Sequence, residues 1–86
     1  MGKVALTFRI LPRGEGVDVA ALEPAVRAAL GGSLRDVAVR PIAFGLKALE
    51  ATVVVEDAAG QAEQIEERIR GLPGVGEVET LGVSLL

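Results

Sequence analysis

The sequence contains no cysteine, which excludes disulfides, thiolate metal sites, iron–sulfur clusters and a cysteine nucleophile. It contains no histidine either, so the usual zinc and copper sites and the commonest general base at neutral pH are missing. Tryptophan and tyrosine are absent and there are only two phenylalanines, yet half the residues are hydrophobic; the core must therefore be built from Val, Leu, Ile and Ala. Nine basic and twelve acidic side chains, net charge −3, are scattered with no run of Lys or Arg able to track a phosphate backbone. No apolar stretch approaches the ~20 residues of a bilayer span. The opening MGKVALTFRILPRGEG carries charge where a signal peptide keeps its apolar segment clean. These absences predict a cytoplasmic protein without metal or cofactor, with no direct nucleic-acid partner and no membrane contact.

What is present fits one domain over residues 1–86, a length that buries roughly 60 to 65 per cent of the unfolded chain's surface. From Lys3 to Leu11, Val4, Leu6, Phe8 and Ile10 alternate with polar or small residues, the pattern of a half-buried strand. Pro12, Gly14 and Gly16 then mark a loop, with Asp18 as a candidate N-cap. Leu22, Val26 and Leu30, with Ala25 and Ala29 beside them, form one stripe of a helix of about three turns. Gly31 and Gly32 end it. Pro24 removes an amide near the helix start, so the helix either begins later than Asp18 or kinks.

Leu34 to Ile42 and Leu46 to Glu56 read as two further strands joined in a hairpin near Ala43-Phe44-Gly45. Pro41 cannot donate to a ladder and Gly45 can supply the positive φ of a tight reversal. After a polar turn at Asp57 to Gly60, Ala62, Ile65, Ile69 and Leu72 line a second helix, whose Glu63, Glu66, Glu67, Arg68 and Arg70 are expected to face water. Val75 to Leu86 completes the pattern as a strand whose alternation is blurred by Gly76 and Gly82. Strand–helix–strand–strand–helix–strand is the split βαβ order. Right-handed crossovers then predict an α+β, ferredoxin-like fold, a four-stranded antiparallel sheet with both helices on one face.

That fold serves many functions, so the residues must choose among them. A metal carrier of this shape would use Cys-x-x-Cys, and an RNA-recognition module would place aromatics on its central strands; both are missing. An acylphosphatase would pair an Arg in the first loop with an Asn; Arg13 is present but the chain has no Asn. Glu66–Glu67 and Glu77–Glu79 suit a solvated surface better than acid–base catalysis. The unusual stretch is Pro41-Ile42-Ala43-Phe44-Gly45-Leu46-Lys47-Ala48-Leu49-Glu50, because turns are normally polar. Two roles stay open for Phe44: folding back to cap the core, or standing out as an anchor for a partner.

This stretch resembles the PIAFGLKAL signature of the archaeal elongation factor 1-beta family. The opening MGKVALTFRILP is similar too, as are Val17-Asp18, Thr52 to Asp57, Ile65-Glu66-Glu67 and Gly74-Val75, so the likeness spans essentially the whole chain. It implies the fold above and a monomeric, non-enzymatic guanine nucleotide exchange factor whose partner is elongation factor 1-alpha, the GTPase that carries aminoacyl-tRNA. It further implies a partner-binding set of Pro41, Ile42, Ala43, Phe44, Gly45, Leu46 and Lys47. In that set Phe44 inserts near the nucleotide-binding elements, Gly45 shapes the turn, Lys47 lies beside it, and Ile42 and Leu46 flank the contact. Eukaryotic relatives place a lysine near the C-terminus, whereas this sequence ends Ser84-Leu85-Leu86 and has only Lys3 and Lys47. Leu85 and Leu86 either touch the GTPase as an apolar end or close the sheet edge. The rival readings are a small-molecule-binding regulatory domain of the same fold, and a module that adds a strand to a partner's sheet.

Overall fold

The computed structural model describes residues 2–14, 16–43, 45–56 and 60–85. In chain order the elements are strand β1 (Lys3–Pro12), a 3₁₀ turn (Val19–Leu22), helix α1 (Glu23–Leu30), a 3₁₀ turn (Gly31–Ser33), strands β2 (Leu34–Pro41) and β3 (Lys47–Glu56), helix α2 (Gln61–Arg70) and strand β4 (Val75–Leu85). The strands form one antiparallel sheet in the order β2-β3-β1-β4, the ferredoxin-like arrangement.

The alternation in β1 holds residue by residue: Val4, Leu6, Phe8 and Ile10 are buried, and their neighbours are not. They meet Leu49, Ala51 and Val53 of β3, Val26 and Leu30 of α1, and Ile65 and Ile69 of α2 in one core, so both helices cover the same sheet face. The Arg68 guanidinium donates across to the Ala29 carbonyl at 3.5 Å, tying one helix to the other. No helix among the described residues is long and apolar enough to cross a membrane.

The conflict posed by Pro24 is resolved by a later helix start. Asp18 accepts from the Ala20 amide at 3.0 Å and caps a separate 3₁₀ turn, after which Pro24 occupies the first turn of α1, where its missing N–H is not required. Leu22, Val26 and Leu30 are all buried, although Leu22 belongs to the 3₁₀ turn rather than to the α-helix.

The blurred alternation of β4 has a physical cause. Its register on β1 skips Gly76 and Leu81, two β-bulges at which two residues oppose one. The first bulge brings Val75 and Val78 to the core side at a spacing of three. At Gly76 a Cβ would lie 2.8 Å from both the Arg13 Cα and the Pro12 carbonyl oxygen, so only glycine lets the end of β1 and the start of β4 approach this closely.

Two acidic residues have partners that the sequence does not predict. Glu66 is half-buried, accepts a hydrogen bond from the Thr80 hydroxyl of β4 and pairs with Arg70 at 3.5 Å, so it stitches α2 to the outer strand. Glu79 pairs with its cross-strand neighbour Arg9.

Candidate partner-binding site

The β2–β3 reversal is built from backbone bonds. The Ile42 amide donates to the Leu46 carbonyl at 2.9 Å, and the Leu46 amide donates to the Ala43 carbonyl at 2.8 Å. Gly45, at φ 78°, supplies the left-handed residue such a turn needs. Pro41 closes the outer strand opposite Lys47, where its missing amide disrupts no ladder. The result is a fixed turn presenting apolar residues: Ile42 is 39% exposed and Leu46 is 53% exposed. Pro41, Ala43, Gly45 and Lys47 are exposed as well. Phe44 and Leu86 lie outside the described residues, as does the 57–59 part of the polar turn.

A groove of about 570 Å³ opens beside this tip. Val39, Ile42, Gly45, Leu46 and Lys47 form the hairpin wall. The facing wall comes from the segment after β1, chiefly Pro12, Gly14, Val17, Val19 and Ala20. That segment is fixed at one end by the Arg13 amide, which donates to the Gly74 carbonyl at 2.8 Å, and at the other by the Asp18 cap. Sequence spacing gave no sign of the groove, because its walls lie some twenty residues apart and meet only through the β1–β4 and β1–β3 pairings. The apolar character of Leu11, Val17 and Val19 around a Pro/Gly loop was the available signal.

Leu85 is not part of this cluster. In the sheet Ile10 faces Leu49 near the tip, whereas Val4 faces Leu85 at the other end, six residues and thus roughly 20 Å along β1. Register places Val83 and Leu85 on the helix side opposite Leu6 and Val4, yet they are 60% and 79% exposed and stand outside the core.

With an exposed apolar turn on a ferredoxin-like sheet in view, the family comparison is decisive. Residues 5–86 match the EF-1 guanine nucleotide exchange domain. The chain belongs to this family. Among curated relatives it is 41% identical over 86 residues to elongation factor 1-beta of Methanoculleus marisnigri, covering 100% of both chains. It is 39% identical over 88 residues to the same factor of Methanothermobacter thermautotrophicus, covering 100% of this chain and 99% of the relative. The likeness to that of Methanoregula boonei is 36% over 85 residues, 99% of each chain. As a member of this family the chain is a translation elongation factor acting in guanine nucleotide exchange, and the matches do not favour a small-molecule regulatory domain.

Proposed function

We propose that this chain promotes exchange of GDP for GTP on elongation factor 1-alpha by seating its 41–47 hairpin tip beside that protein's nucleotide site. The observation that supports it most is the turn itself: Ile42 and Leu46 are held exposed by two backbone hydrogen bonds around Gly45, so little order is lost when a partner covers them. Family membership supplies the reaction, and the resemblance at Pro41 to Lys47 supports the choice of the tip.

Exchange then follows from linkage. A partner that prefers the nucleotide-free GTPase must weaken nucleotide binding by the same coupling energy. A thousandfold loosening requires about 4 kcal/mol of differential binding, within reach of one buried aromatic anchor and its neighbours. Phe44 is that anchor in this reading, with Ile42 and Leu46 excluding water around it. No bond is made or broken by the chain, and Mg²⁺ and nucleotide belong to the GTPase. The chain acts as a monomer in the cytoplasm, without touching nucleic acid or membrane. Leu85 belongs to a separate surface, because it sits at the far end of the sheet.

The test is release of a fluorescent GDP analogue from elongation factor 1-alpha. Wild type is expected to accelerate release, and Phe44→Ala to lose at least tenfold of that acceleration while unfolding at the same temperature. Equal acceleration by both proteins would remove the tip from the mechanism.

A further inference from the structure

The groove beside the tip plays no part in a mechanism that relies on an inserted anchor alone. Its hairpin wall is made of tip residues, since Ile42, Gly45 and Leu46 line it, so a protein seated on the tip also covers the groove's mouth. Its volume, about 570 Å³, falls in the range of pockets that bury a substantial apolar group. The facing wall is anchored by the Arg13–Gly74 and Asp18–Ala20 hydrogen bonds, so that wall is in place before any partner arrives.

Charge narrows the occupant. Among the described residues Asp18 and Lys47 are the charged ones lining the groove, and the Asp18 carboxylate caps the Ala20 amide. Lys47 forms no ion pair among the described residues. A small polar metabolite would leave its donors and acceptors unmatched against walls of Val, Ile, Leu, Pro and Ala. An apolar side chain with a carboxylate next to it would match both the walls and the cation.

We infer that the contact with the GTPase is two-way: while the tip enters elongation factor 1-alpha, the groove receives an apolar side chain of elongation factor 1-alpha whose neighbouring Asp or Glu pairs with Lys47. This rests on the exchange reading above and extends it from an inserted anchor to an interlocked pair. Interlocking gives register: the tip alone could enter a pocket in several rotations, but a groove filled at the same time selects one. The rim ion pair speeds encounter and is weakened by salt.

Binding of the full chain to nucleotide-free elongation factor 1-alpha, alongside the GDP-release assay, tests it with two variants. Ala20→Trp fills the groove from an exposed position outside the core. Lys47→Glu reverses the rim charge on an exposed side chain, so it reports even where a bulky substitution perturbs the fold. Expected is a loss of affinity of at least tenfold for each, with the Lys47→Glu loss shrinking as salt is raised. Wild-type affinity for both variants, in an assay where Phe44→Ala fails, would overturn the groove and leave the tip reading standing. A Lys47→Glu loss independent of salt would overturn the ion pair. A wild-type dimer that Ala20→Trp converts to monomer would make the groove a self-interface and overturn the proposal. Absence of any acceleration by wild type would defeat the exchange reading, and this inference with it.

Discussion

The two ends of the sheet expose apolar side chains in different ways. At the tip end Val39, Ile42 and Leu46 border a concave surface, backed by a second wall and fixed by a closed hydrogen-bonded turn. At the far end Leu81, Val83 and Leu85 lie exposed along an outer strand with no facing wall among the described residues, and a bulge at Leu81 interrupts the regular edge. Bulges on edge strands discourage another strand from adding there. Exposure alone is therefore a poor guide, since the far end is the more exposed of the two; the proposed reading rests instead on the concave shape and the hydrogen-bonded turn of the tip.

The strongest way to break this contrast is to disturb the anchoring of the tip end. Gly76→Ala forces a Cβ to within 2.8 Å of the β1 backbone, whereas Gly82→Ala at the far end meets nothing within 4 Å. The first is expected to cost about 1–3 kcal/mol in urea unfolding and to impair exchange. The second is expected to stay within about 0.5 kcal/mol of wild type. A charge placed on each apolar end sharpens the contrast next. Leu46→Asp is expected to reduce the acceleration of GDP release at least tenfold, about 1.4 kcal/mol, without loss of stability. Leu85→Asp should change it by less than about threefold, or under about 0.7 kcal/mol by the same conversion. Asp18→Ala removes the cap of the groove's second wall and should lower stability by about 1 kcal/mol in the same unfolding assay. Smallest is Arg70→Ala, which breaks the i,i+4 ion pair between exposed Arg70 and half-buried Glu66 and should shift stability by about 0.3–0.5 kcal/mol, leaving exchange unaltered.

Much of the fold was legible because each element obeys one period. Val4, Leu6, Phe8 and Ile10 mark β1 at period two, and Ile65 and Ile69 mark α2 at the helical repeat. The hairpin was legible through Pro41, which has no amide to give a ladder, and Gly45, which is free to adopt the positive φ of a tight turn. What escaped depends on long-range contact. The Gly76 and Leu81 bulges appear only once β4 is laid against β1, and the Thr80–Glu66 bond once α2 is laid on the sheet. The tip residues were visible as an apolar turn, but the groove behind them was not, because Val17 reads as the end of a loop and Val19 as the start of a helix until the fold brings them opposite Val39 and Leu46. Leu85 joined the candidate residues as part of an apolar end where the sequence departs from its eukaryotic relatives, and the strand register separates it from the tip.

The most direct test is to map which backbone amides of the labelled chain change when nucleotide-free elongation factor 1-alpha is titrated in, followed by two-dimensional NMR. Shifts and broadening are expected at residues 39–47 and 13–20, with residues 80–85 nearly unchanged. Changes concentrated at residues 80–85, with the tip and the groove undisturbed, would contradict the account.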